Sequence, residues 1–200
     1  MTKKKGFVTI GHGTTEIQLF IRTLIRYKVN CIVDVRSTPY SRRSPQYNRE
    51  VFMQQLAKHN ISYKWMGNEL GGRPNNDTVF DEKGIVDYEK LVKTKLFSDG
   101  IKVLEEMCLT HNIAIMCSEE NPMTCHRFLA VSRELARKEF ILVHIKDFNN
   151  YVKQAQLEDE MVKVHFGYDV QLDFFKEQDD SLAIAYTKQN KACGYRRKVK

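Results

Sequence analysis

The sequence predicts an α/β fold: one domain over residues 1–200, built in three layers around a mostly parallel, Rossmann-like sheet. Three observations support this. Short apolar runs of strand length recur at 7–10, 31–35, 113–116 and 140–145. Segments with apolar residues at helical spacing separate them. Polar or glycine residues then follow the runs directly, as in Gly11-His12-Gly13, Arg36-Ser37 and Ser118-Glu119. Strands alternating with helices favour right-handed crossovers and parallel pairing, which gathers the carboxyl ends of the strands on one edge.

Taken in order, the chain opens with a strand at 7–10, a helix at 16–27 and a strand at 31–35. Ile17, Phe20, Ile21, Leu24 and Ile25 recur on one face of that helix. A loop rich in Pro, Ser and Arg covers 38–47 and leads to a helix predicted over 48–59, with Asn48 as its cap and Val51, Phe52 and Leu56 inward. Residues 61–66 read as a third strand. Leu70-Gly71-Gly72-Arg73-Pro74 is a loop whose glycines permit close backbone approach, and 75–84 is a polar excursion. Residues 88–111 read as helical with a break near Ser98-Asp99-Gly100, leading into the strand at 113–116. A further helix is expected over 152–164. Residues 7–145 thus form the core, and 146–200 a C-terminal extension ending in a basic tail, Cys193 to Lys200, expected to be flexible.

The 42% hydrophobic content is ordinary for a globular core, and the formal net charge of +7 points to an anionic small molecule or nucleic acid as partner. Five cysteines without paired CxxC spacing fit a reduced cytoplasm rather than a secreted disulfide scaffold. Phe7-Val8-Thr9-Ile10 is too short for the core of a signal peptide, and no apolar run approaches membrane-spanning length. The expectation is a cytoplasmic protein without a membrane partner.

The richest stretch is Cys117-Ser118-Glu119-Glu120-Asn121-Pro122-Met123-Thr124-Cys125-His126-Arg127, at the carboxyl end of a strand, where open α/β sheets bind ligands. Cys125 is expected near the first turn of the next helix, capped by Asn121 or Thr124. There the helix dipole and Arg127 favour a thiolate, and His126 or another base can take its proton. Cys125 is therefore the candidate nucleophile or redox thiol, and Glu119 and His12 are acid–base candidates. The bland alternative for a free cysteine is a small buried hydrophobe. Cys117, Cys125 and His126, with Glu119, also offer ligands for a tetrahedral metal, although the spacing is not that of a zinc finger or ribbon. Asp34 at a strand end needs a partner, which Arg36 can supply. Arg36, Arg42, Arg43, Arg73 and Arg127 all fall on loops or element ends of one edge, where guanidinium forks suit a phosphate, sulfate or carboxylate. Gly71 and Gly72 let the backbone approach that ligand, and Tyr40 and Tyr47 are available to stack on a base.

Four phrases in this order resemble the domain of unknown function 488 family: Thr9-Ile10-Gly11-His12; Val33-Asp34-Val35-Arg36-Ser37 with Pro39 and Ser41-Arg42-Arg43; Leu70-Gly71-Gly72-Arg73; and Met116-Cys117-Ser118-Glu119 followed by Cys125-His126-Arg127. The resemblance implies a prokaryotic, cytoplasmic α/β domain and brings no settled activity. Gly13 stands where the family often has serine. The residues taken together predict an enzyme acting on a phosphorylated or nucleotide-like ligand. A nucleic-acid-binding module with a structural Cys/His turn and a metal-binding or redox protein are the rivals. No cofactor is specified.

Overall fold

In the computed structural model, which describes residues 6–167 and 175–197, five parallel strands and one antiparallel edge strand form a single sheet. The strands are β1 (Gly6–Gly11), β2 (Cys31–Asp34), β3 (Ser62–Trp65), β4 (Ile113–Cys117), β5 (Ile141–Ile145) and β6 (Tyr151–Lys153), in the order β3-β2-β4-β1-β5-β6. This is the mixed, mostly parallel α/β sheet expected of a Rossmann-like fold. β1 and β2 are consecutive in sequence but not neighbours, because β4 lies between them. That insertion brings the end of β4 between Gly11-His12 on one side and Asp34-Val35-Arg36 on the other, in the registers Gly11↔Cys117 and Asp34↔Met116.

The apolar faces of the helices set the two outer layers. Helix α1 (Ile17–Arg26) starts at Glu16, whose carboxylate accepts from the amides of Gln18 and Leu19. It buries Phe20, Ile21 and Leu24 with Phe52 and Leu56 of α2 (Arg49–Ala57) against one face of the sheet. The other face is covered by α3 (Gly67–Leu70), α4 (Tyr88–Leu91), α5 (Lys95–Met107), a π-helical turn at Arg127–Ser132 running into α6 (Arg133–Arg137), α7 (Gln154–Phe166) and α8 (Phe175–Cys193). No helix among the described residues is long and apolar enough to cross a membrane.

Several sequence expectations are corrected. Val51 is exposed rather than inward, since the 3.6-residue period turns it away from Phe52 and Leu56. Asn48 does not cap α2 with its side chain, which instead accepts from the Ser41 amide at 2.7 Å and pins the preceding loop. The break in 88–111 falls at Val92-Lys93-Thr94, where Thr94 caps α5. The helix passes unbroken through Ser98-Asp99-Gly100, and a Cβ at Gly100 would lie 2.8 Å from the Glu69 side chain, so glycine serves close packing there. Val152 belongs to β6, and α7 begins only at Gln154. The C-terminal segment is docked where it is described: the Val86 amide donates to the Tyr195 carbonyl at 2.9 Å and the Arg197 amide to that of Gly84 at 3.0 Å. The last three residues of the basic tail, 198–200, lie outside the described residues, as does the amino-terminal stretch 1–5.

A buried polar chain fastens α7 and α8 to the sheet. His144 Nδ1 meets Thr9 Oγ1 at 2.8 Å, His144 Nε2 meets Gln154 Oε1 at 2.8 Å, Gln154 Nε2 donates to Tyr186 OH at 2.8 Å, and Tyr186 OH donates to Glu158 at 2.7 Å. Every link has a partner, which is the condition for burying polar groups without a large cost. Burial, opposed by the Gln154 bond and aided by the charge of Arg127, lowers the His144 pKa from 6.5 to about 4. The unfolded chain therefore binds more protons than the folded one between these values, so stability falls as pH drops through that window. We expect His144 to account for a loss of about 3 kcal/mol between pH 7 and pH 4. Urea titrations of the wild type and His144→Gln should differ in pH slope by that amount; parallel pH profiles would contradict it.

Candidate functional site

The site is built on the backbone that leaves β4. The His12 amide donates to the Cys117 carbonyl at 3.0 Å and the Gly13 amide to that of Ser118 at 2.9 Å, so the chain after β4 lies across the end of β1. This contact leaves no room for side chains at positions 11 and 13. A Cβ on Gly11 would lie 1.8 Å from the Glu119 carbonyl oxygen, and one on Gly13, whose φ is +48°, would meet the Glu120 carboxylate. From beneath, the fully buried Arg127 donates through Nη1 to the Glu119 carbonyl and through Nη2 to the Glu120 carbonyl at 2.9 Å. Arg127 thus shapes the turn from inside the protein and does not line the pocket, so it does not reach the anion for which the sequence nominates it.

Asn121 caps a separate 3₁₀ turn, Pro122–Thr124, through a bond from the Met123 amide. Cys125 follows in extended conformation, and its carbonyl accepts from the amides of Phe128 and Leu129 while the Arg127 amide points at its sulfur, 3.4 Å away. Cys125 therefore occupies the capping position of the next helix rather than its first turn. His126 begins that helix. Its Nε2 lies 3.0 Å from the Val35 carbonyl, which can only accept, so Nε2 carries a proton and Nδ1 faces the sulfurs. Burial opposes the charged ring, but its contacts with Cys117 and Glu119 outweigh this and raise its pKa above the ordinary value. Gly72 packs flat against this imidazole: a Cβ there would be 2.7 Å from the ring.

The result is a compact cluster. Glu119 Oε2 accepts from Cys117 Sγ at 2.7 Å and from Cys125 Sγ at 3.3 Å, and His126 Nδ1 lies 3.6 and 3.8 Å from the same sulfurs. Cys117 and Cys125 are 2% and 1% exposed, while Glu119 stands on the open side. Burial, reinforced by the neighbouring Cys125, pushes the Cys117 thiol well above its ordinary range. Burial also works against ionisation of Glu119, but the bond from Cys117 and the His126 imidazole outweigh it and hold the carboxyl below its usual range. With its pKa pushed up, Cys117 is held as a thiol that donates to the Glu119 carboxylate.

Beside the cluster, Asp34 and Arg36 form a buried ion pair, with Nη2–Oδ2 2.6 Å and Nε–Oδ1 2.9 Å, completed by Tyr63 OH donating to Asp34 at 2.7 Å. Arg36 Nη2 also donates to the Tyr47 carbonyl, and Nη1 donates to His12 Nε2 at 3.1 Å. Since Arg36 can only donate, His12 Nε2 is the acceptor and Nδ1 carries the proton that bonds to the Gly13 carbonyl at 2.9 Å. Burial and the charge of Arg36 lower the His12 pKa from 6.5 to about 4. His12 is thus a neutral ring with both nitrogens engaged, stacked on Tyr47 at 4.2 Å, and it orients Arg36.

These groups line a cavity of about 440 Å³ with His12, Arg36, Gly72, Arg73, Cys117, Glu119, Cys125 and His126 on its surface. Arg73 is exposed at the rim, its guanidinium 5.2 Å above the Tyr195 ring. Arg42 and Arg43 are exposed on the neighbouring loop and do not line the cavity, and Gly71 lies just outside it, packed on Ser37 and Gly67. Tyr40 is at the rim, whereas Tyr47 is buried beneath His12 and unavailable for stacking. Sequence reasoning missed Tyr88, Cys193 and Tyr195, which complete the wall. The odd fifth cysteine beside a glycine and a tyrosine, Cys193-Gly194-Tyr195, was the available signal.

Fold and site together define an α/β protein with a thiol, carboxylate and imidazole pocket at the carboxyl edge of a parallel sheet. The chain belongs to the family described as Domain of unknown function DUF488, which matches residues 16–133, more than half of the 200-residue chain. No curated protein and no solved structure matches it. The matched span includes β2, the glycine-rich loop and the whole Cys117–Arg127 turn, and begins after the Gly11-His12-Gly13 segment.

The two carbonyls held by Arg127 have no substitute donor in Arg127→Met, so we expect a loss of about 2–4 kcal/mol in unfolding free energy. Equilibrium denaturation measures it, and a change under about 0.5 kcal/mol, typical of an unconstrained surface site, would show that Arg127 does not hold the turn.

Proposed function

We propose that this protein is an enzyme that binds a phosphorylated, nucleotide-like ligand in the pocket at the ends of β1, β2 and β4, with the Cys117, Glu119, Cys125 and His126 cluster as its reacting end. The observation that carries the reading is the pairing, within one cavity, of that cluster at the floor with two guanidinium groups, Arg36 and Arg73, on the walls. The cavity size is within the range of small-molecule sites. Arg36 brings little net charge, because Asp34 neutralises it, but four of its five N–H groups are committed and one on Nη1 is left for a ligand. Arg73 supplies the mobile charge for an anion, and the rings of Tyr40, Tyr88 and Tyr195 supply flat surfaces for a base.

Thermal unfolding in the presence of mononucleotides and of the matching nucleosides tests this. A mononucleotide at about a hundred times its Kd contributes about 2.7 kcal/mol to stability and raises Tm by several degrees. The nucleosides should do much less, and Arg73→Ala should lose most of the nucleotide effect while keeping its ligand-free Tm. Equal shifts from nucleotide and nucleoside, or none from any phosphorylated compound, would reject the reading.

A further inference from the structure

We infer that Cys117, Cys125, His126 and Glu119 form a binding site for a divalent transition-metal ion of the zinc type at the floor of the pocket. The inference uses the same pocket floor as the function proposed above but does not require the anionic ligand.

Three features support it: the donor spacing, the orientation of the imidazole and the packing around the cluster. The donor atoms of the four residues all lie within 4.8 Å of one another. A tetrahedral zinc, with bonds of about 2.3 Å to sulfur and about 2.0 Å to nitrogen or oxygen, spaces its donors about 3.4–3.8 Å apart. The two sulfur–imidazole distances, 3.6 and 3.8 Å, fall in this range, the Cys125–Glu119 distance of 3.3 Å lies just below it, and the 2.7 Å Cys117–Glu119 contact has to open. The imidazole is already oriented for ligation: Nε2–H is tied to the Val35 carbonyl and Nδ1 faces the sulfurs, the outer-shell arrangement that orients metal-binding histidines. The Arg127 amide points at Cys125 Sγ, as amides do toward thiolate ligands, and Gly72 packs against the ring.

The donor set also selects the ion. Two sulfurs with one imidazole suit zinc, cobalt or ferrous iron and discriminate against magnesium and calcium, which take oxygen ligands. Three donors are buried and the fourth, Glu119, stands on the open side of the cavity. A site in which one ligand faces a cavity can exchange that position for water or substrate, as catalytic zinc sites do and closed structural sites do not.

The wild-type chain, reduced and freed of metal, is titrated with Co²⁺ and then with Zn²⁺. We expect one cobalt per chain, sulfur-to-cobalt charge-transfer bands in the near ultraviolet, tetrahedral d–d bands in the visible, and their loss as zinc displaces cobalt. Cys125→Ser and His126→Gln should each weaken binding by more than the about 10–100-fold that disturbing an outer-shell partner costs. Cys193→Ser, which alters a pocket thiol outside the cluster, should leave the spectrum unchanged. A folded, reduced wild-type chain that gives no cobalt spectrum and retains no zinc after dialysis overturns the inference, and so does binding that survives Cys125→Ser but not Cys193→Ser. Should the variants fail to fold, the wild-type titration still decides. Failure of nucleotides to stabilise a chain that does bind cobalt would sink only the ligand reading.

Discussion

The whole pocket depends on one close contact, the passage of the backbone at residues 117–120 across the carboxyl end of β1. Glycines at 11 and 13 allow it from above, and the Arg127 guanidinium secures it from below by taking the carbonyls of Glu119 and Glu120. Once the turn is there, Cys117 and Glu119 sit on one side of a small space, and Cys125 with the helix that begins at His126 delivers the second thiol and the imidazole to the other. A buried cation bonded only to carbonyls is an expensive way to hold a loop. Its presence shows how much of the local architecture is given over to the position of this turn.

Charge is handled differently at the two walls. The guanidinium of Arg36 is neutralised by Asp34, which Tyr63 holds in place, and is fixed by the Tyr47 carbonyl and His12, so what it offers the cavity is a fixed donor rather than a field. Arg73 is the opposite case, an exposed side chain resting on Tyr195 with no acidic partner among the described residues. The sequence puts five arginines on this edge. The structure divides them into a scaffold bolt (Arg127), an oriented donor (Arg36), an exposed rim residue (Arg73) and two solvated neighbours (Arg42 and Arg43).

The five parallel strands were legible because they leave local signals, short branched apolar runs, and the reactive residues of the candidate site directly follow three of them, whereas the short antiparallel β6 was read as the start of a helix. The layer order and the family followed from the same features. What was not legible depends on partners far away in sequence. Nothing local to Arg127 or His12 says that one points into the protein and that the other has both nitrogens engaged, since their partners are carbonyls and a guanidinium supplied by other elements. Gly100 looked like a helix breaker because propensity ignores the close approach of Leu70 and Glu69, which favours glycine at that point. The tail looked free because its charge suggests solvent, whereas backbone pairing with Gly84 and Val86 holds it and brings Tyr195 to the pocket.

The placement of β4 between β1 and β2 bears on how the molecule comes to be made. The N-terminal half cannot close its own sheet, because its first two strands share no hydrogen bonds and leave a slot for a strand still more than seventy residues away. During synthesis on the ribosome, β1 and the inner side of β2 therefore emerge as open edges, the kind that pair promiscuously with other chains. Only when β4 fills the slot are those edges sealed. The same event sets Cys117 at the end of β1, so sealing those edges and placing the turn on which the pocket is built are one structural step.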